Sequence, residues 1–93
     1  MPATVTDNKT DQKTRLMPLF RVLLHNDDVN SMDHVCRALV EVFRFDIPEA
    51  AAIMLEAHTN GVALVKTEPL ELAELHQEQL QSFSLIATIE PEG

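Results

Sequence analysis

The chain has no tryptophan, no tyrosine, two glycines and one cysteine, Cys36. A lone thiol forms no internal disulfide, and no tandem Cys/His spacing of a structural zinc site accompanies it, so a reducing cytosol is the compartment it fits. Basic residues are also scarce, 7 against 15 acids, for a net charge of −8. Nucleic-acid backbones are therefore poor partners, because binding them depends on clustered Lys and Arg that release counterions. No apolar run approaches the roughly 20 residues of a membrane span, and no apolar signal segment follows the N-terminus, so a cytosolic protein without a membrane partner is expected. Missing too are a glycine-rich phosphate loop, H-x-x-x-H or H-E-x-x-H spacing, and a nucleophile with its base; no catalysis, metal or cofactor is expected.

What remains is 93 residues, 45% of them apolar, enough for one domain with one modest core. The charge is uneven: Lys9, Lys13 and Arg15 offset Asp7 and Asp11 near the N-terminus, whereas six acids and no Lys or Arg follow from Glu68 onward. Such a surface either keeps a small domain soluble or attracts cationic partners.

Residues 1–17 are polar and carry neither a period of 2 nor one of 3.6, which predicts a flexible extension ahead of a domain at 18–93. Leu19 to His25 reads as a strand covered on both faces, ended by the turn formers Asn26-Asp27-Asp28. Asn30 is placed to cap a helix with Asp33 three residues on. Met32, Val35, Cys36, Leu39, Val40 and Phe43 then recur at helical spacing and form one apolar stripe. Asp46 and Pro48 start a second helix with Ile53, Met54 and Ala57 facing inward, and Asn60-Gly61 ends it. A strand is expected over Val62 to Lys66, a third helix from Thr67-Glu68-Pro69 to about Gln81, and a closing strand over Phe83 to Ile89. The fold class is α+β, in β-α-α-β-α-β order: a three-stranded, mostly antiparallel sheet with three helices on one face.

The residues alone leave the chemistry open. His25-Asn26-Asp27-Asp28 is either a turn and cap or a site; His58 is either a helix-end dipole partner or a ligand contact. Met32 and Met54, at the edges of the two apolar stripes, are more often core than an adaptable binding surface, and Cys36, on the apolar stripe, reads as a buried structural thiol.

The run Phe20-Arg21-Val22-Leu23-Leu24-His25-Asn26-Asp27-Asp28, with Met32 four residues later and Met54-Leu55-Glu56-Ala57-His58 closed by Gly61, resembles the ClpS family, adaptors that bring N-end-rule substrates to Clp proteases. The resemblance implies that Asn26, Asp28 and His58 hold the free α-amino group of a substrate's first residue, with Asp27 and Asn30 near the site. It implies a pocket of Met32, Val35, Met54, Ala57 and Leu85 for the first side chain, with Met32 as a gate that admits Leu, Phe, Tyr and Trp and rejects Ile and Val. An α-ammonium with three donors and a pKa near 7.7 to 8.0 is well matched by such acceptors. The implied partners are N-degron proteins and peptides and the N-terminal domain of a Clp ATPase, of ClpA or ClpC type, served by a monomer whose N-terminal extension engages the ATPase. This chain departs from the family's pattern at Asn30-Ser31, where Thr-Pro is common, at Ala57, where Val is common, and most over Lys66 to Ser82. The alternative is another protein-interaction module on the same small α/β scaffold.

Overall fold

The computed structural model describes residues 17–93, so the expected extension lies, but for Met17, outside the described residues. The elements are β1 (Leu19–His25), α1 (Met32–Phe43), α2 (Ile47–Asn60), β2 (Val62–Pro69), α3 (Leu70–Ser82) and β3 (Ile86–Pro91), the order expected. The sheet runs β2-β1-β3 with β1 antiparallel to both neighbours.

Alternation decides which face is covered. Val22 and Leu24 of β1, Ala63 and Val65 of β2 and Ala87 of β3 are buried under the helices, while Val62, Leu64 and Ile86 stay exposed on the other side. From the helices come Ala38 and Leu39 of α1, Ala50 and Ala57 of α2, and Ala73 and Leu80 of α3. Each helix thus contributes at least one alanine where it meets the core, which lets it ride close to a sheet whose own bulk is in Val22 and Leu24. Cys36 is half-buried beside this core.

Boundaries differ from the expectation in three places, the first at the junction of β2 and α3. In β2, Val22 pairs with Lys66 but Leu23 with Leu64, which leaves Val65 as the extra residue of a β-bulge. The bulge shifts the alternation by one, so the strand continues through Thr67 and Glu68 opposite Arg21 and Phe20. Glu68 is turned inward, 3% exposed, and its carboxylate meets His76 Nδ1 of α3. The helix therefore starts at Leu70 rather than Thr67, with Pro69 at its N-cap position and no side-chain cap.

The second difference is at β3, which begins at Ile86 rather than Phe83. Leu85 N–H donates to Leu80 O at 3.2 Å and Ser84 N–H to Gln81 O at 2.9 Å, the paired bonds of a Schellman ending. Ser84 takes the left-handed conformation, φ 66°, that such an ending requires. Arg44 does the same after α1, φ 63°, and Gly61 after α2, φ 87°. With glycine at one of these three positions, two helix ends leave no glycine signal in the sequence.

The start of α1 also differs. Ser31 is the N-cap, its hydroxyl accepting from His34 N–H at 3.1 Å, and Asn30 lies one residue outside. Asp46 caps α2 as expected, accepting from Glu49 N–H at 2.9 Å.

Candidate functional site

The end of β1, the turn after it, the start of α1 and the end of α2 enclose a cavity of about 300 Å³. Its lining comes from β1 (Leu24, His25), the turn (Asn26, Asp27, Asp28, Asn30, Ser31), α1 (Met32, Val35) and α2 (Met54, Ala57, His58). Nine residues expected at the site, Asn26, Asp27, Asp28, Asn30, Met32, Val35, Met54, Ala57 and His58, are therefore brought together. The tenth, Leu85, is not in this lining; it is 4% exposed in the core, where the Schellman ending of α3 turns it inward. Leu24 and Ser31 line the cavity although sequence reasoning does not assign them to it, and His25, the first residue of the His25-Asn26-Asp27-Asp28 cluster, lines it too. Leu24 is legible as the last inward residue of β1, and Ser31 as a capping type. His25 is set by the sheet, where its Nε2 meets Thr88 Oγ1 of β3 at 2.7 Å.

Local bonds hold the parts in place. The Asn26 backbone N–H donates to Gly61 O at 3.0 Å, tying the turn to the residue that ends α2 and so bringing Asn26 near His58. Gly61, at φ 87°, allows the chain to leave α2 in the direction that makes this contact. Asp27 Oδ1 accepts from Asn30 N–H at 2.8 Å and Val29 N–H at 2.9 Å, and the Asn30 amide adds longer bonds to both carboxylate oxygens. The Asn30 backbone bond, with its side-chain bond and the Val29 bond, holds the Asp27 carboxyl below the usual carboxylate range, and a nearby His34 acts in the same direction.

The adjacent acids therefore have different parts. Asp27 is engaged inside the turn, whereas Asp28 is exposed beside Asn26 and His58 at the mouth of the cavity. Below this polar rim lie Met32, Val35, Met54, Ala57 and Leu24. Met32 is 46% exposed, at the entrance; Ala57 is 3% exposed and Leu24 2%, at the floor. One end of the cavity can accept hydrogen bonds from a cation, and the other can take an apolar group out of water. Among the described residues no cluster of three or more His, Cys, Asp or Glu has a metal-holding arrangement. A roomier groove of about 430 Å³ runs along Met17, Pro18, Phe20, Pro69, Leu70, Glu71 and Glu74, but its polar groups are glutamates, with no convergent donor and acceptor set.

Known proteins resemble this chain along most of its length. Residues 15–88 match the family described as "ATP-dependent Clp protease adaptor protein ClpS", the divergent stretch from Lys66 to Ser82 included. The chain is similar to the ATP-dependent Clp protease adapter protein ClpS of Synechococcus elongatus, 46% identical over 90 residues, which cover 96% of this chain and 95% of that one. It is also 46% identical over 89 residues to the adapter of Prochlorococcus marinus, covering 95% and 85%. Among solved structures it is similar to Agrobacterium tumefaciens ClpS2 bound to L-phenylalaninamide, with a TM-score of 0.76, 32% identity, and coverage of 81% of this chain and 98% of that one. No helix among the described residues is long and apolar enough to cross a membrane.

Proposed function

The chain belongs to the ClpS family of ATP-dependent Clp protease adaptor proteins, and from that premise we propose that it is a non-catalytic adaptor selecting substrates by their first residue. Asn26, Asp28 and His58 accept hydrogen bonds from the free α-ammonium, and the apolar wall of Met32, Val35, Met54 and Ala57 takes the first side chain. The observation that carries this reading is the juxtaposition of three exposed acceptors with an apolar floor in one cavity of about 300 Å³. The L-phenylalaninamide held by the Agrobacterium tumefaciens protein has the same two features, an α-amine and a large apolar side chain.

Neither half suffices alone. Fully burying a Leu or Phe side chain contributes roughly 1.5 to 3 kcal/mol, and hydrogen bonds to a charged group contribute a comparable amount. An acetylated terminus loses the charge and two of three donors, and an internal residue cannot enter with its backbone continuing on both sides. Met32, half-exposed at the entrance, meets the β-carbon of the first residue and disfavours the β-branched side chains of Ile and Val.

Delivery to a Clp ATPase, through its N-terminal domain, uses the outer face of α3. Leu72 and Leu75 are exposed there among Glu71, Glu74 and Glu78, an apolar pair in an acidic border suited to a partner with basic residues around an apolar patch. We assign substrate capture and ATPase docking to these separate surfaces of one monomer.

The test is a titration of Phe- or Leu-initiated peptides, their acetylated counterparts and Ile-initiated peptides against the purified protein. Tight binding of the first set alone is expected. Equal affinity for free and acetylated amines refutes the reading.

A further inference from the structure

The Asn30 side chain links two parts of the molecule that the sequence keeps apart, the turn after β1 and the link between α3 and β3. Its Nδ2 donates to Ser84 O at 2.8 Å, in the link between α3 and β3, and to Asp27 Oδ2 and Oδ1 at 3.2 and 3.3 Å. An amide nitrogen carries two N–H groups, so one serves the carbonyl and the other is shared by the carboxylate. The Asn30 backbone N–H adds a bond to the same carboxylate. The link is held again one residue earlier, where His34 Nε2 meets Phe83 O at 2.6 Å. Ser84 is itself fixed in the left-handed conformation by the end of α3, so its carbonyl is a rigid anchor.

Asp28 lies between tethered residues: Asn26, bound to Gly61, and Asp27, bound to Asn30, precede it, and Asn30, bound to Ser84, follows it. We infer that Asn30 is a positioning residue of the amine site, bracing the Asp27 turn against the α3–β3 link and thereby holding the Asp28 carboxylate at the cavity mouth. This rests on the proposed capture of an α-ammonium by Asp28. A carboxylate fixed before binding loses less conformational freedom when the ligand arrives, which is where such a brace gains affinity.

The titratable groups around Asp27 are Asp28 of its own turn, His34 of α1, His25 of β1 and His58 of α2; the α3–β3 link presents backbone carbonyls there. Asn30 acts on Asp27 more directly than any of them, since two of the bonds that lower its pKa come from Asn30.

The experiment compares the wild type with Asn30→Ala and with Asn30→Asp, which keeps the shape and lacks the amide donors. Affinity for a Phe-initiated peptide and its acetylated form is measured, together with thermal melting and an NMR titration of the Asp27 carboxyl. Both variants are expected to melt as cooperatively as the wild type and to bind the free-amine peptide about tenfold more weakly. In Asn30→Ala the Asp27 titration moves up toward the ordinary carboxylate range. Wild-type affinity in either variant overturns the positioning role, as does weakened binding with the Asp27 titration unmoved, since the brace then does not act through Asp27. A wild type that binds free and acetylated peptides equally overturns the amine-site reading itself, and is distinguished by needing no variant.

Discussion

Replacing Asp28 by alanine isolates the charged half of the site. Asp28 is exposed and outside the core, so its removal leaves Val22, Leu24, Leu39 and Leu80 packed as before and the melting transition unchanged. A hydrogen bond to a charged group is worth about 1.5 to 3 kcal/mol, and the exposure of this carboxylate favours the lower end. At about 1.4 kcal/mol per tenfold, a Phe-initiated peptide should bind roughly ten- to thirtyfold more weakly. The salt response adds a second readout. Ion pairing at the cavity mouth is screened, so wild-type affinity should fall as salt rises, whereas the variant should respond less because one partner is gone. Fluorescence anisotropy of a labelled peptide at low and high salt measures both. The acceptor assignment fails if Asp28→Ala keeps wild-type affinity, or loses it only by unfolding.

Three further outcomes follow from the same geometry. Met32→Ala opens the entrance and should let Ile- and Val-initiated peptides bind within about tenfold of Leu-initiated ones, because the branching methyl then has room and its burial contributes about 0.8 kcal/mol; unchanged selectivity rejects the gate. Ser84→Gly relieves a left-handed conformation costing about 1 kcal/mol, partly offset by the greater freedom of glycine in the unfolded chain, so a Tm rise of a few degrees is expected and a fall contradicts the strain. The folded-state pKa of Asp27 is lowered, so the stability its bonds contribute is present above the unfolded value of about 3.9 and is lost as pH falls through the folded value. Val29 and Asn30 amide shifts followed by NMR from about pH 5 to about pH 2 should change with a midpoint below that unfolded value, and a midpoint above it is incompatible with the bonds described.

Much of the site is legible in the sequence because its residues are local to two short segments. Asn26-Asp27-Asp28 must turn, Met32 and Val35 share a helical stripe, and Met54, Ala57 and His58 lie on successive turns of the next helix. Period and turn chemistry therefore predict β1, α1 and α2 closely. The start of β3 eludes this reasoning because strict alternation carries the last strand back to Phe83, whereas the chain is still completing a helix ending there, with serine in a conformation usually left to glycine. Glu68 eludes it for a related reason: an acid followed by proline looks like a helix start, and only a bulge at Val65 turns that acid inward to meet His76.

By itself, then, the sequence determined the element order, the apolar faces of α1 and α2 and the residue types available at the end of β1, since these follow from local periodicity and turn preference. Its single thiol allows no internal disulfide, and that much follows from composition alone. Tertiary structure decided how the two neighbouring aspartates divide their work. Asp27 and Asp28 are equivalent as letters, but Asp27 is drawn into the turn by Asn30 and Val29 while Asp28 is left at the cavity mouth, because the anchors that orient the turn, Gly61 and Ser84, come from elsewhere in the chain.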